Sequence, residues 1–192
     1  LMKRLNKEKV LVYNTLQMYR HDRLEYLKRI LQEAEAEGFN IGVKIVRGAY
    51  MEKERLRAKQ NGYPSPIQKD KAATDRDYDL AIEQCLQSPN CSLVAGTHNE
   101  NSCQKLANAM VSQNMSRDGQ RVYFSQLYGM SDNLSFNLAL HGFNVAKYLP
   151  FGPVKDVMPY LIRRAEENTS VGGQTGRELQ LIEKELKRRK SV

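Results

Sequence analysis

The chain has 192 residues, of which 41% are hydrophobic and 27% charged, and its formal net charge is +8. This is the composition of a soluble domain with a single core, and the lack of any apolar run of about 18 residues excludes a membrane-spanning segment. Because the basic residues concentrate in residues 1–9 and 184–190, the charge indicates solvated ends rather than a nucleic-acid-binding surface.

Cysteine usage indicates a reducing compartment. Cys85, Cys91 and Cys103 are odd in number and loosely spaced, so we expect free thiols rather than disulfides or a zinc site. The N-terminal residues are not followed by the apolar stretch that a signal peptide needs. No second histidine or carboxylate has metal-ligand spacing with His98, so we predict no metal.

The first half of the chain alternates between strand-like and helix-like segments. Two apolar runs rich in β-branched residues predict strands. Between them, apolar residues at helical spacing predict an amphipathic helix, which is expected to end at Gly38. A charged segment with Gly62 and two prolines is expected to be partly loop. The predicted elements are strand 10–16, helix 20–38, strand 42–46, the partly looped segment 51–70 and helix 70–87.

The second half continues the same alternation. Asp132 is expected to cap one helix, which Gly142 stops, and Pro159 is expected near the first turn of another. The predicted elements are strand 92–97, helix 101–113, strand 122–127, helix 132–141, strand 145–149, helix 154–168, loop 168–176 and helix 177–190.

Five successive βα units imply a parallel sheet with helices outside it. Two architectures fit, an open doubly wound sheet and part of a (βα)8 barrel. No G-x-G-x-x-G follows the first strand, so a Rossmann site is unsupported. Five units cannot close an eight-stranded barrel, so we expect three further units before them. Polar residues follow all five strands, where barrel enzymes place their chemistry: Gln17, Arg47 with Tyr50, His98 with Asn99, Tyr128, and Tyr148.

The segment 42–50 is the first candidate binding element. Lys44 interrupts a β-branched apolar run, and a cation there is costly unless a polar or anionic group meets it. Gly48 allows a ligand to approach the backbone closely, between Arg47 and Tyr50. These residues suggest a binding surface for a phosphate-bearing molecule. An edge strand with a snorkelling lysine explains them equally well.

The segment 160–168 is the second candidate. On a helix, Tyr160, Arg163, Arg164 and Glu167 can share one side, and paired guanidiniums suit a carboxylate. A surface helix with Arg–Glu pairs is the more common use of such a pattern. His98, at a strand end, either donates to a ligand oxygen or only hydrogen-bonds its own loop.

Five motifs occur in order: VKIVRGAY at 43–50, THN at 97–99, QLYGM at 126–130, KYLPFGPV at 147–154 and YLIRRAEEN at 160–168. With these motifs the chain resembles the flavin-dependent proline dehydrogenase family. The resemblance implies a distorted (βα)8 barrel, represented here by strands four to eight and the C-terminal helices, so residues 1–192 form a single catalytic-domain segment. The family's early strands supply a Lys and an Asp to the substrate pocket, and neither strand lies in this sequence.

The resemblance also implies roles for individual residues. Lys44, Tyr50, Arg163 and Arg164 are expected to be catalytic. The proline site would comprise Tyr50, Leu127, Tyr148, Tyr160, Arg163 and Arg164. The FAD site would comprise Gln17, Lys44, Val46, Arg47, Gly48, Ala49, Thr97, His98, Asn99, Gln126 and Glu167.

The implied reaction is oxidation of L-proline to 1-pyrroline-5-carboxylate, with FAD as cofactor and a quinone as electron acceptor. The implied location is cytoplasmic, or mitochondrial in a eukaryote, with peripheral contact at the inner membrane. Two alternatives stay open: hydroxyproline dehydrogenase, and a non-catalytic folded fragment that forms homo-oligomers through open sheet edges. A nucleic-acid partner is not expected.

Overall fold

The computed structural model describes residues 1–170 and 174–190, with side chains at 1–162, 179–180 and 182–190. The chain forms two compact units, Leu1–Tyr148 and Leu149–Val192. The first unit contains α1 (Met2–Leu5), β1 (Tyr13–Gln17), α2 (Arg23–Ala36), β2 (Ile41–Val46), α3 (Met51–Asn61), α4 (Lys71–Gln87), β3 (Cys91–Gly96), α5 (Glu100–Ser112), β4 (Val122–Leu127), α6 (Asp132–Leu140) and β5 (Val145–Tyr148). The second unit contains α7 (Val154–Ser170) and α8 (Gln174–Lys190).

The five strands form one parallel sheet in the order β1-β2-β3-β4-β5. Each βα unit therefore adds its strand beside the previous one, as in a (βα)8 barrel, whereas a doubly wound sheet reverses direction at a switch point. The barrel alternative is confirmed, as five consecutive units, and β1 and β5 form the two edges of the sheet.

Successive side chains of each strand point to opposite faces of the sheet. Val43, Ile45, Leu93 and Phe124 point to the helix side and are fully buried in the main core. We call the opposite side the inner face; it carries Tyr13, Thr15, Gln17, Lys44, Val46, Ser92, Val94, Gly96, Tyr123, Ser125, Leu127, Ala146 and Tyr148. The three cysteines are free, as predicted, and all three are buried.

Helix ends follow the expected capping chemistry at several points. Gly38 has φ +67°, and after α2 the Gly38 N–H donates to Glu35 O (3.3 Å) while the Phe39 N–H donates to Ala34 O (3.1 Å). These two bonds form a Schellman motif. At α4 the carboxylate of Asp70 accepts the Ala73 N–H (2.7 Å) as an N-cap.

Several boundaries differ from the sequence expectations. Segment 51–70 is helical over its first half, as α3. Ser131, not Asp132, is the N-cap of α6, and the Asp132 carboxylate pairs with Lys147 (2.7 Å) instead. Pro159 is the sixth residue of α7, beyond its first turn, and α7 reaches Ser170. The segment expected as a loop at 168–176 therefore overlaps α7 and α8, while residues 171–173 lie outside the described chain. Among the described residues, no helix has the length and apolar character needed to cross a membrane.

Candidate active site

The carboxyl ends of the strands bring five of the expected site residues onto the inner face. Gln17 ends β1, Lys44 and Val46 lie in the second half of β2, and Leu127 and Tyr148 end β4 and β5. Alternate residues of a strand point to the same face, so Lys44 and Val46 lie on the inner face together, and the same alternation places the other three there. All five are partly or largely accessible, in contrast to the buried helix side.

Lys44 is the cation of this surface. Its Nζ lies 5.6 Å from the centroid of the Tyr148 ring, within cation–π range. Gly96 of β3 leaves room for the lysine stem, since a Cβ at this position would lie 3.4 Å from Lys44 Cε and 2.9 Å from Val46 Cγ1. Gly96 was not expected in the site.

The segment after β2 turns sharply beside β1. Gly48 has φ +121°, and any Cβ there would overlap the buried ring of Tyr19. Two bonds continue the strand pairing past β1, from the Met18 N–H to Val46 O (2.8 Å) and from the Tyr19 N–H to Arg47 O (2.7 Å). Ala49 follows, and Tyr50, 39% exposed, is the N-cap residue of α3. Only glycine fits at 48, which explains the Gly-Ala-Tyr corner.

Arg47 points to the opposite side of the sheet, toward the helices. Its Nε donates to Asp75 Oδ1 (2.5 Å), its Nη1 to Thr97 Oγ1 (2.7 Å) and its Nη2 to Ser102 Oγ (3.0 Å). Its Cζ lies 4.3 Å from the ring centroid of Tyr78, which is fully buried. The guanidinium thus joins the ends of β2 and β3 to α4 and α5.

The Thr97–Asn99 turn after β3 is fixed from several directions. The Thr97 hydroxyl accepts the Asn99 N–H (3.0 Å), and Asn99 Oδ1 accepts the Ser102 N–H (3.0 Å) as the N-cap of α5. The amide of Gln126, 2% exposed, donates to Thr97 O (3.2 Å). His98 Nδ1 lies 3.0 Å from Ser131 Oγ, so this ring nitrogen bonds the loop before α6.

Burial and ion pairing set the protonation states around Arg47. Burial raises the pKa of Asp75, but hydrogen bonds from Lys71 and Arg47 outweigh it, so the pKa lies below the ordinary value. Burial raises the pKa of Tyr78 far above its ordinary value, although Arg47 opposes this, and it raises that of Cys103 to about 12. Arg47 therefore faces a carboxylate, while the phenol and thiol are neutral.

Comparison with known proteins identifies the family. A family model described as proline dehydrogenase matches residues 1–177. Proline dehydrogenase 1, mitochondrial, of Caenorhabditis elegans is 41% identical over 195 residues, covering 98% of this chain and 32% of that protein. Hydroxyproline dehydrogenase of Xenopus laevis is 40% identical over 194 residues, covering 98% of this chain and 42% of that protein.

This chain belongs to the proline dehydrogenase family. It spans about a third of the C. elegans relative's length. Among solved structures, proline utilization A (PutA) from Bdellovibrio bacteriovorus, inactivated by N-propargylglycine, is similar with a TM-score of 0.78 and 28% identity, over 83% of this chain and 17% of that one. The partial-barrel fold expected from the motifs is confirmed.

The remaining residues expected of a proline dehydrogenase site belong to the second unit. Tyr160 is partly buried on α7. Arg163, Arg164 and Glu167 fall on the same helix, but their side chains lie outside the described part of the structure. The carboxylate clamp therefore stays a prediction.

The structure thus divides the expected cofactor residues of this proline dehydrogenase family member into two groups. Gln17, Lys44 and Val46 lie on the inner face, which offers apolar surface with a cation and an amide at its carboxyl end. Arg47 and Gln126 lie behind the sheet, bonded to protein groups. Among the described residues, no cluster of three histidine, cysteine or carboxylate side chains could hold a metal ion.

Sequence reasoning missed the supporting residues Asp75, Tyr78, Ser102 and Ser131. The alternation of β2 was the available signal for the first three, because it places Arg47 on the same side as Ile45 and therefore against the helices. No comparable signal in the sequence pairs Ser131 with His98.

Proposed function

We propose that this chain forms the flavin-facing part of an FAD-dependent proline dehydrogenase. The reaction is oxidation of L-proline to 1-pyrroline-5-carboxylate with transfer of electrons to a quinone. The observation that carries the proposal is the approach of Lys44 Nζ to the Tyr148 ring, 5.6 Å, on the inner face, with Gln17 at the carboxyl end of the neighbouring strand β1. Family membership and the ordered motifs support it.

The inner face suits an isoalloxazine ring. Such a ring is flat and largely apolar, with carbonyl and nitrogen acceptors along one edge. Val46 and Leu127 supply apolar surface, and the Lys44 ammonium and the Gln17 amide supply hydrogen-bond donors. Gly96 has no side chain that would project from this part of the inner face. When bound, FAD supplies the redox chemistry by accepting a hydride from the proline ring carbon next to nitrogen.

Lys44 would hold its positive charge beside the isoalloxazine edge, where negative charge grows as electrons arrive. A fixed cation that needs no reorganisation stabilises such a transition state. Deeper burial of the ammonium against Tyr148 would strengthen the effect, because charges interact more strongly away from water.

The substrate is a small ring with one carboxylate. Arg163 and Arg164 would hold the carboxylate by paired donors, and Tyr50, Tyr148 and Tyr160 would enclose the ring. Fixing both ends of proline orients the reacting carbon, which lowers the entropic part of the barrel enzyme's activation barrier.

The chain would act as one segment of a larger catalytic domain. Several similar proteins are named as mitochondrial proline dehydrogenases, which supports a mitochondrial location if the source is eukaryotic. Peripheral contact with the inner membrane would bring the site to its quinone. The basic segment Lys187–Lys190 of α8 is compatible with an anionic surface.

A chimera tests the proposal. This chain replaces the matching third of the C. elegans relative, and the purified chimera is examined for flavin absorbance and for bleaching by L-proline without oxygen. We expect a yellow protein that proline bleaches and a short-chain quinone recolours. Lys44→Met should keep the absorbance and slow the bleaching. A folded chimera that binds FAD but ignores proline would contradict the proposal.

Hydroxyproline is the second candidate substrate, because relatives named hydroxyproline dehydrogenase are about as similar as those named proline dehydrogenase. The ratio of kcat/KM for the two amino acids in the chimera decides between them. Self-association of a non-catalytic fragment is the third possibility. Light scattering on the isolated chain tests it, since pairing through β1 or β5 predicts a dimer or larger species.

A further inference from the structure

We propose that Arg47 and Asp75 are positioning residues that fix the Thr97–Asn99 turn from behind the sheet, and that Arg47 does not itself contact the cofactor. The inference rests on the proposed function, because the turn is one wall of the proposed flavin site. It assigns a different task to Arg47 from the phosphate contact that the motif implies.

The first argument is the direction of the Arg47 side chain. All three of its nitrogens donate to protein groups, namely Asp75, Thr97 and Ser102. Its flat side stacks on the buried ring of Tyr78. A guanidinium held on its edges and one face has few donors left for an anion.

The second argument is charge compensation. The Arg47 side chain is 21% exposed and that of Asp75 is 30% exposed, so both charges are largely removed from water. Asp75 also accepts a bond from Lys71 (2.5 Å), which holds the carboxylate in place. Losing Asp75 leaves the Arg47 charge without its anion in a poorly solvated position, whereas losing Arg47 leaves Asp75 paired with the exposed Lys71 alone.

The third argument is how the contacts pass to the turn. Arg47 holds the Thr97 hydroxyl, which accepts the Asn99 N–H, and Asn99 caps α5 through the Ser102 N–H. The Ser102 hydroxyl in turn accepts a hydrogen bond from Arg47 Nη2 and donates one to Asp79 (2.7 Å). The cycle Arg47–Thr97–Asn99–Ser102 closes on itself, so the guanidinium joins the turn to the first turn of α5, in addition to the bond that Gln126 makes to Thr97 O.

Amide hydrogen exchange of the isolated chain without FAD tests this coupling. The amides of Asn99 and Ser102 report on the turn, and that of Phe124, bonded to Asn144 O (2.9 Å), reports on the sheet. In Arg47→Met and Asp75→Asn we expect Asn99 and Ser102 to exchange about tenfold to a hundredfold faster, the range for loss of a hydrogen bond to a charged group. Arg47→Lys should recover part of the protection, because one ammonium cannot reach all three partners.

The matched control is Arg121→Met. Arg121 lies at the opposite end of the sheet and donates to the carbonyls of Leu86 and Ser88 (both 2.7 Å). Its loss should speed exchange at Asn99 no more than at Phe124. FAD titration of the same variants, followed by flavin fluorescence, should show weaker binding with Arg47→Met and Asp75→Asn and unchanged binding with Arg121→Met.

Two results would overturn the inference. Unchanged exchange at Asn99 and Ser102 in Arg47→Met, together with weaker FAD binding, would mean that Arg47 contacts the cofactor directly. Equal acceleration of all three amides in Arg47→Met would mean a general structural role. Failure of the unmodified chain to bind FAD would count against the proposed function alone, because the exchange measurement needs no flavin.

Discussion

Gly96 offers the sharpest steric test of the inner face. Its φ lies outside the left-handed region, so alanine introduces no backbone strain and acts only through its new methyl group. That Cβ would lie 2.9 Å from Val46 Cγ1, 3.2 Å from Ile45 O and 3.4 Å from Lys44 Cε. The first contact is too short for carbon atoms and the second involves backbone, so the neighbours must move.

The expected cost of Gly96→Ala follows from two opposing effects. Overpacking by a methyl group costs about 1–3 kcal/mol, and the stiffer unfolded chain returns about 0.4–1 kcal/mol. The middle of these two ranges gives a net loss in free energy of unfolding of roughly 1–2 kcal/mol. For a chain of this size, that lowers Tm by roughly 2–8 °C.

Thermal unfolding followed by circular dichroism measures this loss, with Val46→Ala as the second arm of a double-mutant cycle. Val46→Ala removes the nearest clashing atom, so Gly96→Ala should cost clearly less in that background. Displacement of Lys44 by the new methyl group is measured separately, by FAD binding. Gly96→Ala should weaken FAD binding in the unmodified chain but cause no further weakening in the Lys44→Met variant. If Gly96→Ala is as stable as the unmodified chain, or costs the same beside Ala at 46, the steric reasoning is wrong.

Three further predictions concern the layer behind the sheet. The hydroxyl of the buried Tyr78 interacts only weakly with Thr97 and makes no well-formed hydrogen bond among the described residues, so Tyr78→Phe should leave the free energy of unfolding unchanged or raise it by about 1 kcal/mol. Urea unfolding measures this, and a clear loss of stability would contradict it. Arg121→Met should lower that free energy by roughly 2–4 kcal/mol, because it leaves several main-chain carbonyls without their donor, and Arg121→Lys should restore less than half. For Asp75, the lowered pKa means that its ion pair stabilises the fold fully above the ordinary value of 3.8 and less as pH falls through the folded-state pKa. Urea unfolding should therefore show a stability difference between the unmodified chain and Asp75→Asn at pH 7 that shrinks below pH 3.8, and a difference independent of pH would refute the ion pair's contribution.

Apolar periodicity predicted the strands and most helices because these elements bury one side. β4 was placed at its observed bounds, Val122–Leu127, and α4 within one residue, since both carry regular apolar patterns. α3 was the exception. Only Ala58 is buried in this helix, so it has almost no apolar stripe to detect. Its glutamate, lysine, arginine and alanine content, and the left-handed cap at Gly62, were the signals that favour a helix.

Sequential strand order could not be derived from the alternation of elements. A βαβαβ pattern fits both a barrel and a doubly wound sheet, because the pattern records no neighbour relation between strands. The motif resemblance supplied that information, and the registers of the five strands confirm it. The side chains that hold the Thr97–Asn99 turn could not be predicted from the sequence either, because Asp75 and Ser131 are far from the turn along the chain.

Arg47 shows where motif and geometry disagree. The motif resemblance assigns both Val46 and Arg47, which are neighbours in the chain, to the cofactor, but in a strand only alternate residues share a face. Lys44 and Val46 point to the inner face, so Ile45 and Arg47 must point to the helices, where a cation needs an anion. The helix that covers them, α4, carries three aspartates, Asp75, Asp77 and Asp79, and Asp75 is the one that pairs with Arg47. Under the proposed function, Arg47 would therefore belong to the cofactor motif because it holds the Thr97–Asn99 turn in place, without touching the cofactor.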